Sequence, residues 1–231
     1  AFYINQTYDE KRWAVAAAAC KRVMDMKKSG NPMYRLHTVE SSSETPALAT
    51  NVTTDPDYTQ PWPVGAAGID PFHSYADMFN GEDVIPSNPE WVWARYSADL
   101  TAHTRTSFPA HLGGWNHCCV TQKVVDAYRM ADGRNIDEST TQYPYSETGF
   151  TTTQKKFSGY RLNSGVYNMY NNREMRFYAS IGFSECFWPM TSTSTVGDYN
   201  QTITYYYDSP DGKQSNLIDF PLTGYVIKKF I

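Results

Sequence analysis

The sequence predicts a mainly α-helical fold with extensive irregular loops and a few short β-strands. A helical pattern of apolar residues over 8–28 is the first observation behind this prediction. The second is a proline-rich stretch over 31–90, where regular structure is interrupted repeatedly. The third is a set of short apolar runs towards the end of the chain, separated by turn-forming residues. The 231 residues suffice for one sizeable core or two small ones.

Residues 8–28 are the clearest predicted helix. Thr7 and Glu10 fit a capping box at its start, and Gly30 is expected to end it. Its apolar stripe consists of Trp13, Ala16, Ala17, Cys20, Val23 and Met24. The small members would let a second helix approach closely, as in helical-hairpin repeats. We therefore expect a buried Cys20, and a helical-repeat element over residues 1–30 whose partner helix lies outside this chain.

The remaining elements are predicted to be short. Expected helices cover 74–79 and 121–131, and expected strands cover 90–96, 176–183, 202–207 and 225–230. Ser209, Pro210, Asp211 and Gly212 form a turn by their chemistry. Residues 149–172 are polar and rich in Gly and Tyr, and are expected to form a loop.

Charge and composition exclude some classes of protein. The net charge of −4 argues against a nucleic-acid partner, which needs clustered Lys and Arg. No run of about 18 apolar residues is present, so the sequence predicts no transmembrane helix. The four cysteines include the adjacent pair Cys118 and Cys119, and no disulfide framework is expected.

Familiar catalytic and metal-binding motifs are absent from the sequence, so we expect no catalytic residue, metal or cofactor. His103, His111 and His117 lie near two cysteines but lack the paired spacing of a zinc site. Acidic residues over 132–138 leave calcium as an alternative, although a solvated turn explains them better. Carboxylates also abound, for example at Glu82, Asp83, Glu90 and Asp99, but their number alone makes chance pairs inevitable.

Aromatic residues in constrained loops are the positive functional signal. Flat rings stack on the apolar face of a sugar, and planar polar side chains bind its hydroxyls. The candidate ligand-binding residues are Trp115, Asn116, His111, His117, Trp62 and Trp91. The alternative for Trp115 is that it fills a gap over the helix predicted at 121. Binding by stacking and neutral hydrogen bonds would depend little on salt.

Four segments resemble, in the same order, the SusD/RagB family. Residues 13–19 (WAVAAAA) resemble the alanine-rich repeat helix, and 113–133 (GGWN…TQKVVDAYRMADG) resemble the family's G-x-W and D-A-Y-x-M-x-D-G segments. Residues 173–181 (REMRFYASI) and 223–230 (TGYVIKKF) resemble its closing motifs. The chain departs from the family at 118–120, where Cys-Cys-Val replaces a small-and-proline segment.

The resemblance implies a SusD-like fold, with a TPR-like helix over 1–30 and a loop-rich region over 31–231, truncated at both ends of the full fold. It implies non-catalytic binding of an oligosaccharide at the outer-membrane surface, as in polysaccharide utilisation by Bacteroidetes. The expected partner is a SusC-like TonB-dependent transporter, with membrane attachment only through a lipid anchor outside this chain. The alternatives are a peptide-binding RagB-like protein and an extracellular glycoside hydrolase.

Overall fold

The computed structural model describes residues 7–80, 88–93, 101–190, 195, 197 and 199–229. Two compact units divide the chain, one of Ala1–His37 with Pro86–Tyr96 and one of Thr38–Ile85 with Ser97–Ile231. Within the described residues, short helices and two-stranded sheets are joined by irregular segments, which confirms the predicted fold class. The helices described here fall short of the length and apolarity that a bilayer-spanning helix requires.

The first unit contains helix α1 (Glu10–Met24) and the paired strands β1 (Lys27–Lys28) and β2 (Asn31–Pro32). Asp9 caps α1 by accepting a hydrogen bond from Lys11 N, so the predicted cap at Thr7 is wrong by two residues. The helix ends at Met24, before the predicted stop at Gly30. None of its residues is buried, and Cys20 is exposed, contrary to prediction. That residues 1–30 form a helical-repeat element stays a prediction.

The predicted strand over 90–96 is also wrong where the structure describes it. Residues 90–93 lie in a turn, in which Trp91 N donates to Asn88 O. Glu90 fixes this turn through its side chain, because its Oε1 accepts a hydrogen bond of 2.8 Å from His37 N. Residues 94–96 lie outside the described residues.

The second unit contains the remaining elements. Its helices are α2 (Pro56–Thr59), α3 (Pro71–Asn80), α4 (Thr101–Ser107), α5 (Gln122–Asp126) and α6 (Met175–Ser180). Short 3₁₀ turns cover Thr50–Val52, Ala110–Leu112, Ile136–Glu138 and Asn168–Tyr170. Its strands are β3 (Lys155–Phe157), β4 (Tyr160–Leu162), β5 (Ile181–Gly182), β6 (Cys186–Trp188), β7 (Gln201–Ile203) and β8 (Val226–Ile227). They pair antiparallel as β3–β4, β5–β8 and β6–β7.

Helix α6 occupies a segment predicted as a strand. Phe177, Tyr178 and Ile181 are all buried. Positions separated by three and four residues share one face of a helix, whereas adjacent residues of a strand point to opposite faces. The burial of two adjacent rings with Ile181 therefore requires a helical turn, which packs against α3.

Residues 149–172, predicted as a loop, contain the hairpin β3–β4. Ser158 and Gly159 join the strands, and both have positive φ angles of 45° and 71°. This geometry is typical of the two-residue turns that match strand twist. The Ser-Gly signal was present in the sequence, but its polar surroundings obscured it.

Aromatic rings dominate the buried core of this unit. Phe177 and Phe183 stack with centroids 5.2 Å apart, and Tyr170 lies 4.5 Å from Phe183. The hydroxyl groups also find partners, since Tyr178 donates to Tyr170 O at 2.8 Å and Tyr170 to Tyr225 Oη at 3.0 Å. Tyrosine thus supplies apolar area while satisfying polar groups inside the core.

Asp70 fixes the start of α3. Its carboxylate accepts hydrogen bonds of 2.9 Å from both Phe72 N and His73 N, as a helix cap does. Hydroxyl groups of Thr45 and Ser158 donate to its second oxygen. Burial alone would raise the pKa of Asp70, but these hydrogen bonds outweigh burial and hold its pKa below the ordinary range.

Arg173 is fully buried and ends helix α5. Its Nη2 donates to Val125 O at 2.6 Å and to Tyr128 O at 2.8 Å, and its Nη1 donates to Met169 O at 3.0 Å. The predicted helix over 121–131 stops at Asp126. The carbonyls of Val125 and Tyr128, which a longer helix would pair with N–H groups further along the chain, instead accept hydrogen bonds from Arg173. A cation at the carbonyl end of a helix is also favoured by the helix dipole.

We expect Arg173→Met to destabilise the second unit by about 2–5 kcal/mol, because one buried and two partly buried carbonyls lose their donor. Guanidinium denaturation followed by tyrosine and tryptophan fluorescence measures this. The matched control is Arg176→Met, which removes an exposed ion pair with Glu174 and should cost no more than about 1 kcal/mol. Equal losses for the two variants would show that Arg173 does not organise the core.

Candidate functional site

The segment over residues 108–119, hereafter the Trp115 loop, contains four of the six candidate binding residues. It folds back onto helix α4, since Trp115 N donates to Arg105 O at 2.7 Å and His117 N donates to Thr106 O at 2.6 Å. These backbone bonds fix the position of the indole relative to the helix. The loop is therefore rigidly held on one side by regular structure.

Gly114 allows the tight path of the loop. A Cβ atom at this position would lie 2.0 Å from Phe108 O, which no side chain tolerates. Gly114 N donates to Pro109 O at 2.9 Å and closes the turn. Gly114 thus allows the backbone to turn sharply, and Trp115 is the next residue after this turn.

Asp211 anchors the loop from the other side. Its carboxylate is fully buried and accepts hydrogen bonds of 3.1 Å from His111 N and 3.1 Å from Asn116 Nδ2. Its second oxygen pairs with His111 Nδ1. Gly212 makes room for this turn, because a Cβ there would lie 1.8 Å from Tyr206 O. A buried carboxylate with three donors fixes both ends of the Trp115 turn.

Asn116 takes a different place from the one expected of a ligand-binding residue. Its side chain is fully buried, and its φ angle of 53° is one that Asn tolerates better than most residues. The amide faces Asp211 and Asp219 O, so it lies behind Trp115 rather than at the surface. We therefore interpret Asn116 as a positioning residue.

His117 lies at the exposed rim of the loop. Its Nε2 lies 3.0 Å from Asp219 Oδ1, and its ring centroid lies 6.4 Å from that of Trp115. Arg105 Cζ lies over the Trp115 ring, 6.0 Å from its centroid. Trp115 itself is half-buried. The structure thus brings His111, Trp115 and His117 together and adds Arg105, producing a partly exposed ring with basic neighbours.

The two other candidate tryptophans lie elsewhere. Trp62 is 40% exposed in a turn of its own, where its N donates to Ala67 O at 3.3 Å. Trp91 belongs to the first unit and is half-buried, whereas its neighbour Trp93 is 82% exposed. Binding roles for Trp62 and Trp91 stay predictions.

Metal-binding alternatives gain no support from the described residues. Within them, no group of three or more His, Cys, Asp or Glu side chains is arranged to hold an ion. Asp132, the first of the residues considered for calcium, accepts hydrogen bonds from Arg134 N and Thr140 Oγ1 at 3.3 Å each, as in an ordinary turn. All four cysteines are free thiols. Of the carboxylates named for hydrolysis, Glu82, Asp83 and Asp99 lie outside the described residues.

Sequence reasoning missed two residues of this site. Asp211 was assigned to a turn, and it lies 100 positions from His111, so no local spacing indicates their contact. Arg105 lies in a short polar helix, and nothing in its neighbourhood marks it. The sequence contains no local signal for either contact, since the burial of Asn116, which requires a polar partner inside the protein, is seen only in the structure.

Comparison with known proteins agrees with the family resemblance of the sequence motifs. The profile of the SusD family matches residues 88–231. Among solved structures, a SusD-like protein (BF3747) from Bacteroides fragilis NCTC 9343 is 22% identical, with a TM-score of 0.45, over 68% of this chain and 28% of its own. The protein BT4246 is 16% identical, with a TM-score of 0.57, over 99% of this chain and 38% of its own. The search of curated proteins found no match.

The chain thus spans 28% and 38% of the lengths of these two structures. The likeness to BT4246 supports the fold of the present chain.

We expect Asp211→Ala to free the Trp115 loop and to cost about 2–4 kcal/mol, because buried donors of His111 and Asn116 lose their acceptor. Hydrogen exchange of residues 110–118 should become faster. Asp208→Ala is the control, since Asp208 is exposed in the same segment and should leave exchange unchanged. Unchanged protection in Asp211→Ala would contradict the anchoring role.

Proposed function

Since the chain belongs to the SusD family, we propose that it forms part of a non-catalytic protein that binds oligosaccharides at the outer-membrane surface. The bound glycan would be delivered to a SusC-like TonB-dependent transporter. The single observation that carries the binding role is the half-exposed Trp115 ring, held between α4 and Asp211 with His117 beside it. A preformed aromatic surface binds a sugar without the entropy cost of ordering a loop.

His111 and His117 supply the polar rim of this proposed site. Each has one ring nitrogen engaged, His111 with Asp211 and His117 with Asp219. Such engagement fixes the orientation of each ring. The second nitrogen of each imidazole is the group that we assign to sugar hydroxyls, while Asn116 holds the backbone from behind.

The carboxylates of this site favour binding over hydrolysis. Glycoside hydrolases place two carboxyl groups on either side of the scissile bond. Asp211 is fully buried and occupied by three donors, so it does not face a ligand. Asp219 pairs with His117. Neither is arranged as a general acid or base toward a sugar on Trp115.

We expect Trp115→Ala to weaken glycan binding by about 1–3 kcal/mol, by analogy with the stacking of bases on aromatic side chains. Calorimetric titration against a panel of neutral oligosaccharides measures the loss. Trp62→Ala tests the second candidate. Trp93→Ala is the control for removing an exposed indole, because Trp93 lies in the other unit. A Trp115→Ala variant that folds normally and loses less than about 0.5 kcal/mol would place the site elsewhere.

We further expect the bound oligosaccharide to survive prolonged incubation with its chain length unchanged. Chromatography of the reaction mixture detects any shorter product. Release of sugar that a single carboxylate substitution abolishes would establish a glycoside hydrolase instead. Saturable binding of peptides, with no binding of any glycan, would favour the RagB-like alternative.

A further inference from the structure

Arg105 distinguishes the Trp115 site from a purely neutral aromatic surface. Its side chain is exposed, and its guanidinium lies over the Trp115 ring, with Cζ 6.0 Å from the centroid. That separation is close to the outer limit of a cation–π contact, so the ring holds the guanidinium in place without enclosing it.

Most arginines of the described chain have side-chain acceptors, whereas Arg22, Arg35 and Arg105 have none among the described residues. Of these three, Arg105 lies over the aromatic ring of the candidate site. Arg12, Arg134 and Arg176 form ion pairs with nearby carboxylates, and Arg161 and Arg129 donate to backbone carbonyls. Within the ranges that the structure describes, no carboxylate pairs with Arg105. A guanidinium is a strong multiple donor, and an anionic ligand would satisfy it.

The nearby acidic groups do not serve as that partner. Asp211 is buried and bound to His111 and Asn116. Asp219 is paired with His117 at 3.0 Å. Both carboxylates are therefore already engaged by the loop itself, and neither pairs with Arg105.

We propose that the Trp115 site selects acidic oligosaccharides, with Arg105 binding the carboxylate of a uronic acid whose ring stacks on Trp115. This inference rests on the proposed glycan-binding function and narrows its ligand class. The planar fork of a guanidinium matches the two oxygens of a carboxylate. A uronic acid bound at Trp115 would bring its exocyclic carboxylate within reach of Arg105, whose Cζ lies 6.0 Å from the ring centroid. The weak salt dependence expected from the sequence then no longer holds, because a charged contact is screened by ions.

The test compares ligands that differ only in charge. Polygalacturonate, alginate and glucuronoxylan oligosaccharides are each titrated beside their carboxyl-reduced counterparts, which keep the linkage but lose the carboxylate. We expect the acidic member of at least one pair to bind at least about tenfold more tightly, with a preference that declines as salt rises. Arg105→Gln should abolish the preference, and Arg105→Lys should retain part of it, because it keeps the charge and loses the fork.

Arg22→Gln is the matched control, since it removes an exposed arginine from α1 in the other unit. Equal affinity for the members of every pair, or no binding to any of the acidic ligands, overturns the inference. Equal weakening of both members by Arg105→Gln also overturns it, because Arg105 would then only support the ring. In those cases the affinity for neutral oligosaccharides decides the proposed function. If Trp115→Ala abolishes that affinity, the proposed glycan-binding function stands. If Trp115→Ala still binds neutral oligosaccharides normally, the site itself is refuted.

Discussion

A buried guanidinium sets the arrangement of the second unit. Arg173 donates hydrogen bonds to three backbone carbonyls, two of them in or just after the last turn of α5. Burial lowers its pKa from the ordinary value, and the nearby Asp126 and Glu174 offset only part of this effect. Because Arg173 binds the carbonyls at the end of α5, the position of the chain that precedes α5 is also fixed. Val120 N reaches Tyr225 O there, and Cys119 pairs with Val226 as an isolated bridge. The Trp115 loop ends at this bridge, so the core and the site share one support.

The sequence predicted the positions of the important segments more accurately than their secondary structure. The motif over 173–181 was recognised, yet it was predicted as a strand, although Phe177 and Tyr178 are both buried on a helix. Aromatic and branched residues favour strands locally, and tertiary packing against α3 overrides that preference. The predicted length of α5 failed for a similar reason, since its carbonyls are bound by a residue nearly fifty positions away. Periodicity contains no information about such a partner.

The candidate site was predicted in part for a clear physical reason. Trp115 is flanked by glycines and polar residues, and this local composition predicts a ring on constrained backbone. His111 and His117 lie close enough in the chain to be grouped with it. Asp211 was missed because its contact with His111 joins segments 100 positions apart. Arg105 was missed because its position over Trp115 depends on how the loop folds back onto α4. Asn116 was predicted to bind sugar hydroxyls, but its side chain is buried inside the protein.

The anchoring of the Trp115 loop by Asp211 has a consequence for how such a protein can change over evolution. Residues that face solvent, such as His117 and Arg105, are separate from those that hold the backbone, such as Asn116 and Gly114. Substitutions at the first group alter recognition while the loop keeps its course. Transplanting the loop alone into another scaffold would fail, because the carboxylate that holds it arrives from 100 positions further along the chain. Point substitutions can thus change the specificity of the site. The site as a whole requires both the Trp115 loop and the distant segment that contains Asp211.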